Sequence, residues 1–257
     1  MNLTELTNRY NNIKPFTTAT QLCYIKELQT FMGNKQVNKI NDIIIAKLIK
    51  HYQSKGNSNK TINDKLSLLR CLLKYAISIR ELEYMPIIPH QKVIAKKPTV
   101  ISRSALAMML LWCRREGQRD LAKILLIGYY TGLRINNILS ITDKNYENGQ
   151  YNIYDKKVNS YFIMPVSNKI KYIATRHKNF DMTYRQCYYL FNLMKQALKL
   201  DEDITIHTLR HSFCSNLNKK QVPLPVIQKL ANHKSISSTM RYTHTDEEQL
   251  TTAISML

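Results

Sequence analysis

The chain has 257 residues, 44% of them hydrophobic, and carries 38 Lys and Arg against 18 Asp and Glu, a formal charge of +20. That length buries a sizeable core in one large domain or two modest ones, and the charge, spread over both halves, asks for a polyanionic partner, nucleic acid ahead of an anionic membrane surface. Five cysteines without a Cys-x-x-Cys pair, an N-terminus (MNLTELTNRYNN) without a signal-peptide core and a longest apolar run of ALAMMLLWC exclude a disulfide framework, a zinc site and a membrane span, and point to a cytoplasmic protein.

Three helical patterns come first, over 17–33, 37–56 and 58–82. The first opens on hydroxyl residues suited to capping and closes on Gly33; the second closes on Gly56; the third places Leu66, Leu69, Leu72, Leu73 and Ile77 at helical spacing. A helical bundle over 1–88 is expected. Pro86, Pro89 and Pro98 then predict an extended linker over 89–100, and the remaining chain, 101–257, reads as a second domain.

In that second part, 102–117 and 119–132 read as buried helices. The period changes at GQYNIYDKKVNSYFIMPVS, where two β-rich runs, 150–154 and 160–166, flank a polar turn and predict a hairpin. From Thr183 onward the pattern returns to helices, interrupted by Pro223 and Pro225. The fold class is mainly α, with one small sheet.

A Gly-rich phosphate loop, a Walker lysine and HExxH are all missing from the sequence, as are paired carboxylates suited to a two-metal nuclease. Four polar segments remain: TGLR at 131–134, DKK in the hairpin turn, HTLRH at 207–211 and ANHKSISSTMRYTH at 231–244. On a helix His207, Arg210 and His211 share one face. A guanidinium beside an imidazole suits an oxyanion, although a surface cluster or a His207/His211 metal pair has the same spacing. Gly132 permits a bend after which Arg134 opens the next helix against the core, where it needs an anionic partner. Tyr242 follows His233 after a polar stretch, and a tyrosine hydroxyl can attack phosphorus once a base takes its proton and cations hold the phosphate.

In order and spacing, TGLR, a hairpin lysine, HTLRH and LANHKSISSTMRYTH resemble the tyrosine recombinase family over roughly 100–245. The resemblance implies an N-terminal helical core-binding domain and a catalytic domain that clamp double-stranded DNA bearing inverted-repeat core sites. It implies site-specific cutting and rejoining through a covalent 3′-phosphotyrosine, with no cofactor and no metal. A catalytically silent DNA-binding relative is the alternative. By position Arg134 and Arg210 resemble the two phosphate-holding arginines, His207 the first histidine and best proton acceptor, His233 the second histidine and Tyr242 the nucleophile. Lys157, eight residues before Pro165 and next to Lys156, resembles the general acid. The family pattern also implies a monomer in solution that becomes a homotetramer on paired sites by exchanging a C-terminal helix, here 246–257.

The sequence departs from the family pattern twice. Asn137 stands where an acidic residue commonly follows the first arginine, and Asn232 stands where a glycine usually precedes the second histidine.

Overall fold

The computed structural model describes residues 1–94, 98–157, 159–176, 179–240 and 242. The chain divides into two compact units, Met1–Ala95 and Lys96–Leu257. The expected C-terminal helix, 246–257, lies outside the described residues.

The first unit holds α1 (Leu3–Ile13), α2 (Ala19–Met32), α3 (Asp42–Ser54) and α4 (Asn59–Ser78). Each helix starts on a side-chain cap: Asn2, Thr18, Asn41 and Ser58 accept from the backbone N–H three residues on, satisfying a donor that the helix leaves free. The pattern over 37–56 divides into a short 3-10 turn at Val37–Lys39 and then α3. The sequence reading did not anticipate α1. It buries only Leu3, Leu6 and Thr7, and its start is set by the reciprocal hydrogen bonds of Asn2 and Glu5 rather than by an apolar stripe. Leu28, Leu48, Tyr52, Leu66, Leu69 and Leu73 form the bundle core. The proline-rich segment after α4 is laced onto this unit: Ile87 N donates to Asp42 Oδ1, Arg70 to the Ile88 carbonyl, and Asn63 and Asn59 to the carbonyls of Gln91 and Lys92.

The second unit begins with α5 (Arg103–Arg115), α6 (Arg119–Thr131) and α7 (Ile135–Leu139). A three-stranded antiparallel sheet follows, ordered β1 (Tyr146–Glu147), β2 (Gln150–Asp155) and β3 (Ser160–Pro165). The hairpin lies where the alternation put it, with Tyr151 opposite Met164 and Asp155 opposite Ser160. The short strand β1 was not expected. It is paired to β2 across Asn148 and Gly149, both at positive φ, as a two-residue hairpin turn requires. Along β2 burial alternates strictly, with Tyr151, Ile153 and Asp155 facing inward. The unit closes with α8 (Lys171–Arg176), α9 (Tyr184–Ala197), α10 (Thr208–Lys219), α11 (Leu224–Leu230) and the single turn α12 (Ser237–Met240).

Helix α6 runs through the centre, burying Leu121, Ile124, Leu125, Ile127 and Tyr129. It packs on α10 closely enough that a Cβ at Gly128 would lie 2.9 Å from Leu209 Cδ1. Phe213, Cys214, Ile227, Ala231 and Tyr242 form a separate small cluster, which fixes the tyrosine ring. Among the described residues no helix is long and apolar enough to cross a membrane.

Candidate active site

The four polar segments converge within the second unit. Helix α6 ends at Gly132, which adopts a left-handed φ of 65°. A side chain there would be strained by φ and would also place its Cβ 2.3 Å from Phe213 Cδ1, so only glycine fits. The turn does two things. It directs the Gly132 carbonyl at Arg210 Nη1, 2.8 Å away, and it sets Arg134 as the N-cap residue of α7. Arg210, 4% exposed, is held from the other side by the Ala231 carbonyl, which accepts from its Nη2. Burial, then the charge of Arg134, lowers its pKa to about 10. It remains a cation at neutral pH, fixed by carbonyl dipoles.

Arg134 is half-buried and pairs with Asp155 at the end of β2, Nη1 to Oδ2 at 2.6 Å. The side chains are 21% and 1% exposed. A buried pair of this kind contributes little net stability, but removing one partner costs about 3–5 kcal/mol because the other charge is stranded. Asn137, at the position where the sequence lacks the usual acid, is buried in α7. A carboxylate therefore does reach Arg134, from the sheet instead of from α7.

His207 is the N-cap residue of α10, with Arg210 and His211 one turn on. The rings of His207 and His211 meet edge to face at 4.9 Å. Tyr242 is 5% exposed, and its Oη lies 2.6 Å from His211 Nδ1. Its ring is stacked on His233 at 6.4 Å. Its backbone is tied down by Tyr242 N to the Thr239 carbonyl and by Asn218 Nδ2 to the Tyr242 carbonyl. His233 is oriented through Nδ1 and Thr239 Oγ1 at 2.9 Å. Asn232 before it takes φ 47°, a left-handed conformation that asparagine tolerates better than most side chains.

Electrostatics agree with the geometry. The pKa values of His233 and His207 are both lowered to about 4, first by burial and then by surrounding positive groups: Arg210 and Arg134 for His233, and His211, Arg210, Arg134 and Lys157 for His207. The ring of His207 is crowded by protein yet still exposed to solvent, so water moderates the burial contribution there. Both are neutral at neutral pH. Lys157 lies exposed in the β2–β3 turn, its backbone N–H donating to Asp155 Oδ1 at 2.9 Å. Arg134, Arg210 and Lys157 thus act together on His207, with one carboxylate on Arg134, an arrangement that favours an anion.

Six residues singled out from the sequence, Arg134, Lys157, His207, Arg210, His233 and Tyr242, come together here. Two others complete the arrangement. His211 was legible as sharing a face with His207, but the residue expected to neighbour the tyrosine proton was His207, whereas the hydrogen bond runs to His211. Asp155 was legible only as the acid of DKK at the end of an alternating strand, with nothing to pair it with Arg134. Among the described residues no group of three or more His, Cys, Asp or Glu is gathered as a metal site would require.

Comparison with known proteins bears on this arrangement. The model of the phage integrase family matches residues 167–249, which carry HTLRH and the tyrosine segment. The chain is 27% identical to tyrosine recombinase XerC of Thermodesulfovibrio yellowstonii over 95% of this chain and 93% of that one. The chain is thus similar to tyrosine recombinases over nearly its whole length. Solved integrase structures share its fold. The Tn1549 transposon integrase, in complex with circular intermediate DNA, superposes with a TM-score of 0.81 at 16% identity over 99% of both chains. A lambda integrase tetramer bound to a Holliday junction gives 0.77 at 16% identity, over 95% of this chain and 78% of that one. The turn after α6, the β2–β3 hairpin, α10 and the segments flanking α12 thus bring a tyrosine, imidazoles and two arginines together from four separate places in the chain.

Proposed function

We propose that this chain is a site-specific DNA recombinase that cuts and rejoins duplex DNA through a 3′-phosphotyrosine. The observation that carries the chemistry is the Tyr242 hydroxyl on His211 Nδ1 beside the cations Arg134 and Arg210. Tyr242 Oη attacks the scissile phosphorus as its proton passes to His211. Arg134, Arg210 and His233 donate to the non-bridging oxygens, whose charge grows in the pentavalent transition state; a single fixed donor of this kind is worth about 3 kcal/mol. His207, packed on His211, completes the wall. The leaving 5′ oxygen takes a proton from Lys157. The phosphodiester's energy is kept in the phosphotyrosine, and a 5′ hydroxyl from another strand reverses the step, so the reaction balances without an external energy source.

The partner that fits is double-stranded DNA with inverted core sites. The +20 charge supports this, as do relatives solved on DNA. The first unit is read as the core-binding domain, and both units contribute phosphate contacts. A monomer that assembles as a tetramer on paired sites is the matching assembly, by analogy with the lambda integrase tetramer on a Holliday junction.

The test uses Tyr242→Phe as bait to select bound duplexes from a random pool, and then a suicide version of the selected site, nicked beside the cleavage point. Wild type is expected to form a covalent adduct on it, and Tyr242→Phe to bind equally well and form none. An adduct with Tyr242→Phe, or none with wild type on DNA it binds tightly, would overturn the reading.

A further inference from the structure

Of the two departures from the family pattern, Asn232 touches both Arg134 and Asp155, while Asn137 meets Arg134 only through its backbone N–H. Position 137 has lost its acid and position 232 has gained an amide. In the structure the Arg134 guanidinium is held by Asp155, Nη1 to Oδ2 at 2.6 Å, and Asn232 Nδ2 donates to the same oxygen at 3.2 Å. Arg134 Nη2 faces the Asn232 carbonyl at 3.4 Å. The other carboxylate oxygen, Oδ1, accepts the Lys157 N–H, and the Asp155 carbonyl accepts Asn159 N–H at 2.7 Å across the same turn.

Asp155 sits at an inward position of β2, whose other inward residues, Tyr151 and Ile153, are core. A carboxylate in such a position is costly unless it is paired and hydrogen bonded. Its contacts reach the start of α7, the hairpin turn and the loop before His233. A glycine at 232 could not supply the amide, and an amide at 137 cannot supply the charge.

We propose that Asp155 is the positioning residue that aims Arg134 at the scissile phosphate, its carboxylate reaching from β2 and steadied by the Asn232 amide, where the family pattern would take the acid from position 137. The carboxylate holds Nη1 and the Asn232 carbonyl faces Nη2, which leaves the remaining N–H donors for the phosphate. Asp155 touches no reacting atom; it acts through Arg134. The inference rests on the recombinase reading above.

The experiment compares full-length wild type, Asp155→Asn, Asn232→Gly and Arg134→Ala on two suicide duplexes of the selected site. One carries the ordinary scissile phosphate and the other a methylphosphonate, which lacks the non-bridging charge that Arg134 answers. Asp155→Asn is expected to bind DNA like wild type and form adduct at least about tenfold more slowly on the phosphate. On the methylphosphonate its defect should shrink to about twofold, in parallel with Arg134→Ala. Asn232→Gly keeps the left-handed backbone and removes only the amide, so it should show the same pattern more weakly, and it remains informative if Asp155→Asn does not fold. Adding Asn137→Asp to Asn232→Gly should recover rate. Equal defects on both duplexes for Asp155→Asn and Asn232→Gly, or wild-type rates for both on the phosphate, would overturn the proposal. Absence of adduct with wild type on both duplexes would instead sink the recombinase reading.

Discussion

Tyr242 Oη and His211 Nδ1 are 2.6 Å apart, in a pocket where Phe213, Cys214, Ile227 and Ala231 hold the tyrosine ring. The pairing gives His211 the position of proton acceptor, with His207 packed on its ring edge to face.

The first prediction separates the two histidines. A tyrosine hydroxyl is mostly protonated at neutral pH, and a positioned base contributes roughly 10²–10⁴-fold. His211→Gln is expected to slow adduct formation by a factor in that range at pH 7 and to recover as pH rises, because alkali removes the phenol proton without a positioned base. His207→Gln should lose rate without that alkaline recovery. Single-turnover rates from pH 6 to 10 check this, and recovery in His207→Gln with none in His211→Gln would reverse the assignment.

Gly132 provides a second prediction, on packing. Alanine there meets both the positive φ and the Phe213 ring, 2.3 Å from the added Cβ. Overpacking of this kind costs typically about 1–3 kcal/mol. Gly132→Ala should therefore lower the urea midpoint, and it should lower adduct formation more than the stability change alone implies, because the Gly132 carbonyl that holds Arg210 moves with the turn. Combining it with Phe213→Leu should return part of the stability. If the double variant is no more stable than Gly132→Ala, the clash is not the cause.

The turn at TGLR, the hairpin and the HTLRH face were legible because each is written locally: a glycine that must be left-handed, alternation along β2, and helical spacing. The helix α1 was not, since its buried face is only Leu3, Leu6 and Thr7 in a polar stretch and its start is set by the Asn2–Glu5 cap. The strand β1 was carried by Asn148-Gly149, a two-residue signal that a search for longer runs passes over. Asp155 could be read only as part of DKK, not as the partner of Arg134. As the last residue of YNIYD it resembles a turn acid, and its partner Arg134 lies twenty-one residues earlier, so only the packed sheet shows the pairing. Likewise, that His211 rather than His207 meets Tyr242 depends on where α10 starts and how α12 docks, neither of which spacing alone determines.

Acid should weaken the free protein through His233 and His207. Their folded pKa values, lowered to about 4, lie below the 6.5 of the unfolded chain. The stabilisation is thus fully present above about 6.5 and is lost as pH falls from there through about 4, because the unfolded chain binds protons that the folded site refuses. Urea midpoints of wild type should drop between pH 7 and pH 5 by more than those of the His207→Gln/His233→Gln double variant. Equal drops in the two proteins would show that these rings do not report the cationic pocket.

The remaining proton transfer is the one proposed for Lys157. It lies in the β2–β3 turn, and only its backbone N–H is bound to Asp155, so Lys157→Ala removes the ammonium while leaving the contact that shapes the turn. The leaving 5′ oxygen of an ordinary phosphodiester must be protonated as it departs, and loss of a general acid costs roughly 10²–10⁴-fold. A 5′-bridging phosphorothiolate departs as a thiolate, whose ordinary pKa of about 8.5 makes it stable without that proton. Lys157→Ala is accordingly expected to cleave the ordinary suicide duplex poorly and the phosphorothiolate at close to the wild-type rate, while Tyr242→Phe remains inactive on both. Lys156→Ala should behave like wild type on each. If the phosphorothiolate rescues Lys156→Ala and not Lys157→Ala, the acid is the neighbouring lysine. If it rescues neither, the proton comes from outside the hairpin.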